Sequence, residues 1–155
     1  MRFAANYGFG AICSVLLSGI LWFQGDTVMG HELVEPAEQA TRTAVERFNE
    51  AFNRHDADAL ATLLTEDTVF EDTSPAPDGR RVEGRAGVTT FWREWFMRNA
   101  DARFEAEEMI VSGNRATVLW VYRKMRDGQP WHLRGVDIFT VRDGKIAAKL
   151  AYVKG

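Results

Sequence analysis

Two Asp-Gly dipeptides, Asp127-Gly128 and Asp143-Gly144, restrict the C-terminal half of this chain more than any other feature. Asp-Gly suits the two left-handed positions of a two-residue hairpin turn, and each pair here stands between runs rich in β-branched and aromatic residues. Gly113-Asn114 marks a further turn upstream. The intervening runs read as strands over residues 104–111, 116–125, 131–141 and 145–153. Short connections of this kind join neighbours in space, so the predicted product is an antiparallel meander.

The residues before the meander carry a different period. Ala40, Ala44, Val45, Phe48, Ala51 and Phe52 recur at helical spacing behind Pro36, a residue suited to a first helical turn, and predict a helix over 36–54. Asp56 is placed to cap a second helix over 57–64, with Leu60, Leu63 and Leu64 facing inward. Residues 68–72 read as a strand, and the Pro- and Gly-containing stretch 73–79 as a loop. A third helix is predicted over 84–99, its stripe being Val88, Phe91, Trp92, Trp95 and Phe96. That stripe reads as core packing before it reads as an aromatic ligand box. Helices first, one strand among them and a meander last predict an α+β fold, a curved sheet with helices on one face.

At 155 residues the chain suits one domain. Its 22 acidic residues outnumber 19 basic ones, and no basic block exists to grip phosphates, so a dedicated nucleic-acid binder is excluded. The one cysteine, Cys13, allows neither an internal disulfide nor a cysteine-based zinc site. Residues 1–30 are set apart from a domain over 31–155. Residues 3–25 carry no charged side chain, and residues 11–23 form an apolar run after Arg2. Three readings stay open: a signal peptide, a short membrane anchor, or a start codon placed too early, with translation beginning at Met29. The last implies a cytoplasmic protein; the other two imply export or membrane attachment, and a membrane enters only if the segment is retained.

His31, His55 and His132 share no metal-ligand spacing, and no HExxH, GxSxG, phosphate-binding loop or GxGxxG is present. No metal or cofactor is expected. The carboxylates are the better lead. Asp137 lies in Gly-Val-Asp-Ile-Phe-Thr-Val, a strand apolar on both faces. A charged, unpaired carboxylate there costs several kcal/mol. It either pairs with an arginine or a backbone amide, or keeps its proton and donates a hydrogen bond to a developing oxyanion. Asp72 ends its strand on the same face as Phe70, which aims it at the mouth of whatever the sheet encloses. There it is a candidate general base, or simply the cap of the turn at Thr73-Ser74-Pro75.

The stretch from Arg47 to Asp56, then Leu63 to Asp72, Val82-Glu-Gly-Arg, Gly135-Val-Asp-Ile-Phe and Asp143-Gly-Lys-Ile resembles the NTF2-like proteins, among them ketosteroid isomerases and SnoaL-like polyketide cyclases. The resemblance covers roughly residues 37–153. It implies an NTF2-like cone-shaped barrel, three N-terminal helices packed on a curved, mainly antiparallel sheet, with a deep apolar pocket and a homodimer. It places the general base on Asp72 and the neutral oxyanion-hole acid on Asp137, the family being the standard case of a carboxylic acid held neutral. The tyrosine donor of that site falls on Phe48, which has no hydroxyl. Trp120, Tyr122 and Lys124 share a strand face that the resemblance turns inward, so Tyr122 or Trp120 is the candidate replacement, while Lys124 reads as a solvated charge. Phe48, Phe70, Trp92, Trp120 and Phe139 are the expected pocket walls. The reaction implied is cofactor-free proton transfer, of isomerase or cyclase type, on a small apolar carbonyl compound; the alternative is a non-catalytic ligand-binding or dimerisation module. The Asp–Arg–Asp set of limonene-type epoxide hydrolases is not matched, because alternation sends Arg134 to the face opposite Asp137.

Overall fold

The structure, a computed structural model, describes residues 35–154. The readings made for residues 1–30, and Cys13 and His31, lie outside these. The elements run α1 (Pro36–Asn53), α2 (Ala57–Thr62), β1 (Leu64–Glu71), β2 (Arg81–Glu83), α3 (Arg85–Arg98), β3 (Arg103–Ser112), β4 (Arg115–Arg126), β5 (Gln129–Arg142) and β6 (Lys145–Val153). The strands form one six-stranded sheet in the order β2-β1-β6-β5-β4-β3. Only the β1–β6 pairing is parallel. The α+β class and mainly antiparallel sheet are as the sequence predicts.

The hairpin chemistry acts as read. Asp127 and Gly128 take φ of 52° and 75°, and Asp143 and Gly144 take 53° and 69°, so both turns have the left-handed pair their dipeptides favour. Asp56 caps α2, its carboxylate accepting from the Ala59 N–H at 2.8 Å.

Three local readings need correction. The second helix stops at Thr62 and β1 begins at Leu64, because Ile146 N–H bonds the Leu63 carbonyl and draws this segment to β6. Leu63 and Leu64 are buried all the same. The short strand β2 was not foreseen; its three residues pair with 69–71 of β1, a tertiary partner that local periodicity does not register.

The core lies between the helices and one face of the sheet. Val45, Phe48 and Phe52 of α1 meet Phe91, Trp92 and Phe96 of α3, and all pack on Phe70, Val118 and Phe139 of the sheet. Asn53 fixes α1 to β3, donating to the Phe104 carbonyl at 2.8 Å and accepting from its N–H at 2.9 Å.

One irregularity decides what faces this core. On β6, Ile146 pairs with Val141 and Ala148 with Thr140, so Ala147 is an extra residue between them. Such a bulge shifts the phase of alternation along its strand. Ile146 and Lys149, three residues apart, therefore both point inward, with 1% and 8% exposure. The Thr68 hydroxyl supports the bend by donating to the Ile146 carbonyl at 3.0 Å.

Candidate active site

A cavity of about 400 Å³ opens between the helices and the sheet. Of the eight residues the sequence singled out, Asp72, Asp137, Tyr122, Phe48, Phe70, Trp92 and Trp120 line it. Phe139 does not. It is fully buried and packs edge-on against Phe48 at 5.5 Å, one layer behind the wall. Strand alternation gave its side correctly, but depth depends on what α1 places in front of it.

Asp137 is at the floor. It sits on β5 opposite Val118 of β4 and Ala151 of β6, with no exposed surface. Its partner is neither arginine nor backbone. Lys149 Nζ of β6 stands 2.8 Å from Asp137 Oδ2. The approach is that of a close ion pair and not of a well-aligned hydrogen bond, and Asp137 Oδ1 has no hydrogen-bond partner. Burial pushes the Asp137 carboxyl above the usual range, while the Lys149 charge acts against that rise.

Lys149 is a residue the sequence reading missed. Its ammonium lies 5.3 Å from the ring centre of Phe70, 5.8 Å from Trp92 and 5.7 Å from Phe139. Three aromatic faces favour a cation at this point. A lysine amid alanine and leucine in the strand Lys-Ile-Ala-Ala-Lys-Leu-Ala is an available signal. Regular alternation from Ile146 would turn it to the other face, and the bulge removes that inference.

Asp72 stands one residue beyond β1. Its N–H donates to the Arg80 carbonyl at 2.9 Å, and its Oδ1 accepts from the Thr73 N–H at 2.8 Å. The turn-capping role and the cavity-facing role coexist. Gly79 is required behind it: φ is 76°, and a Cβ there would stand 1.7 Å from the Asp72 carbonyl oxygen. Burial raises the Asp72 carboxyl above its usual range and the Asp137 charge adds to this; the Thr73 N–H, Lys149 and Arg80 oppose it.

The cavity has a second polar region. Asn99 Oδ1 accepts from the Tyr122 hydroxyl at 3.3 Å and from Lys124 Nζ at 3.1 Å. Lys124 is thus half-buried and tied into the wall, not a solvated charge. Asn99, at the C-cap of α3, was not foreseen as a site residue. Burial, helped by the Asp101 charge, pushes the Tyr122 phenol up to about 12, so Tyr122 is a donor at ordinary pH. Trp120 is held by a missing side chain: a Cβ on Gly135 would lie 2.3 Å from the Trp120 ring.

Arg134 pairs with Glu107 on the exposed side, so no arginine joins Asp137. Among the described residues no cluster of three or more His, Cys, Asp or Glu side chains is arranged to hold a metal ion. Among them, too, no helix is long and apolar enough to cross a membrane.

An α+β domain with two buried-leaning carboxyl groups in one aromatic-walled cavity is the class that fold and site define. Residues 45–149 match the family model of the SnoaL-like domain, and the chain belongs to that family. An NTF2-like protein of unknown function from Mesorhizobium loti is 37% identical, over 79% of this chain and 97% of that one, with a TM-score of 0.69. A protein assigned as a ketosteroid isomerase from Kribbella flavida is 22% identical over 76% of this chain and 80% of its own, with a TM-score of 0.65. An LEH-like epoxide hydrolase from M. tuberculosis is 21% identical over 77% and 86%, with a TM-score of 0.63. At such identities these last two share the fold alone. No curated protein matches the chain.

Proposed function

We propose that this protein catalyses cofactor-free proton transfer beside the carbonyl of a small apolar compound, as an isomerase or cyclase does. The observation that carries the reading is the presence of Asp72 and Asp137 in one cavity, in unlike surroundings. Asp72 is half-buried near the mouth, held by one backbone N–H, and its second oxygen is left to accept a proton. Asp137 is fully buried at the floor, beside where the carbonyl oxygen of a bound substrate gathers charge. Two carboxyl groups driven to different roles by environment, one a base at the reacting carbon and one beside the developing oxyanion, are a usual arrangement for such proton transfer. Aromatic walls from Phe48, Phe52, Trp92, Trp95 and Trp120 suit an apolar ligand and exclude water from the reacting carbon.

The test is conversion of a β,γ-unsaturated cyclic ketone to its conjugated isomer, followed by ultraviolet absorbance, with Asp72→Asn alongside. Loss of at least about a hundredfold in rate is expected, the low end for general-base catalysis. An unchanged rate removes Asp72 from the mechanism. No turnover by the wild type across such ketones moves the reading to a ligand-binding module.

A homodimer is part of the same proposal. The sheet face opposite the core carries Ile110, Leu119, Val136, Ile138, Leu150 and Tyr152, placed side by side by the strand registers. Ile110 and Tyr152 are each 53% exposed. A second copy of the same apolar face is the simplest cover for it.

A further inference from the structure

The Lys149–Asp137 pair has more capacity than its own contact uses. An ammonium has three N–H donors, and among the described residues Lys149 has one polar partner, Asp137 Oδ2. Asp137 Oδ1 is buried and unpartnered, as are Trp120 Nε1 and Trp92 Nε1. All four residues line the one cavity. A buried pair kept only for stability closes its remaining valences on protein groups, since each open one costs free energy. Here donors and an acceptor are left open together, at the floor of a cavity whose walls are aromatic. Phe48 of the facing helix lines the same cavity and has no hydroxyl to offer.

We infer that the pair is a receptor for an acidic oxygen, in which Lys149 takes the ligand's oxyanion and Asp137 takes the ligand's proton. The ligand class is a planar, conjugated molecule with one ionisable oxygen: an enol, or a phenol that mimics one. In the binding step the O–H bond of the ligand breaks and its proton bonds to the Asp137 carboxylate. The ligand oxygen, now negative, replaces that carboxylate as the counter-charge of Lys149. The site passes from a Lys⁺–Asp⁻ pair to Lys⁺ with a bound oxyanion and a neutral Asp137. Its total charge does not change, and no ion is left buried without a partner. Phe70, Trp92 and Phe139 hold the ammonium in place throughout, so Lys149 exchanges partners without moving away from its cage. This inference rests on the proposed function only for the statement that the ligand is the enol form of the substrate, whose O–H supplies the proton that Asp137 takes. As a binding property it stands by itself.

The probe is 4-nitrophenol, titrated into the purified chain below the pH at which the free phenol ionises. Wild type is expected to bind it with the absorbance of the anion. Calorimetry in two buffers of different ionisation heat is expected to give equal enthalpies, because the proton stays inside the site. Lys149→Met is expected to lose the anion spectrum and bind at least about tenfold more weakly, the size of a charged hydrogen bond. Lys149→Arg is expected to keep the anion spectrum. Because Lys149→Met leaves Asp137 alone in the core and could unfold the chain, the double variant Asp137→Asn/Lys149→Met, which buries no charge, is measured as well; it too is expected to lose the anion. An anion spectrum in either Lys149→Met background overturns the inference, as does neutral binding by the wild type or a proton released to buffer. Asp72→Asn separates the two proposals. It is expected to abolish turnover and leave nitrophenolate binding in place, so a failure of the Asp72 mechanism and a failure of the Lys149 receptor give different results.

Discussion

Ile146 and Lys149 face the same interior although three residues separate them on one strand, and the extra residue Ala147 is the reason. The bulge brings a buried ammonium to 2.8 Å from Asp137, the most buried carboxyl of the described residues. Half-removal of such a pair is expected to be worse than complete removal. Lys149→Met should cost about 3–5 kcal/mol at neutral pH, and the double variant with Asp137→Asn much less. Urea unfolding measures both. Equal losses in the two would mean the charges are not coupled.

The sign of the pH dependence follows from burial. Asp137 in the folded state binds its proton more tightly than at its ordinary value of 3.8. In Lys149→Met the opposing ammonium is gone and the rise is larger. Stability linked to Asp137 is then fully present below about 3.8 and is lost as pH rises through the folded value. Lys149→Met should therefore recover toward wild type on acidification, in the range where other carboxylates do not yet unfold the chain. A deficit that stays constant with pH would contradict the assignment.

Asp72 must be ionised to act as a base. Its carboxyl is raised above 3.8, chiefly by burial. The rate should therefore rise with pH and level off, with its inflection above 3.8. Lys149 holds that inflection down, so Lys149→Arg should leave it in place and Lys149→Met should move it upward. The pH profile of kcat/KM checks this; an inflection at or below the ordinary carboxylate value would remove Asp72 as the titrating base.

Gly135 makes room for Trp120. A methyl group there meets the Trp120 ring at 2.3 Å and the Tyr152 carbonyl oxygen at 2.2 Å. Gly135→Ala should cost about 1–3 kcal/mol and turn the indole from its place in the cavity wall. Denaturant midpoint and near-ultraviolet circular dichroism read the two effects. A spectrum and midpoint like those of wild type would show that the strand yields freely.

The cap on α2 is a control far from the chemistry. Asp56→Ala removes the acceptor of the Ala59 N–H and should cost about 1 kcal/mol, with turnover unchanged. A change in nitrophenol affinity in this variant would tie α2 to the cavity.

The proposed dimer has its own check. Tyr152→Glu with Ile110→Lys places charges on the exposed sheet face and should convert a dimer to a monomer in sedimentation. A monomeric wild type would dismiss that use of the face.

The sequence by itself determined the elements whose signals are local. Asp-Gly placed both hairpins because its residues tolerate the left-handed backbone a two-residue turn needs. The 3.6-residue spacing of Ala44, Phe48 and Phe52 placed α1 and its buried face. The apolar neighbours of Asp137 announced a buried carboxyl, and the position of Asp72 behind Phe70 announced its direction. Tertiary structure decided what depends on partners distant in the chain. It chose Lys149 as the companion of Asp137, because a single inserted residue reverses the inside–outside order of β6 and alternation cannot see an insertion. It drew Asn99 from the end of α3 to Tyr122 and Lys124 of β4. It set Phe139 one layer deeper than the cavity wall, because α1 laid Phe48 across it. Periodicity tells which side of an element a residue faces; only packing tells what it meets there.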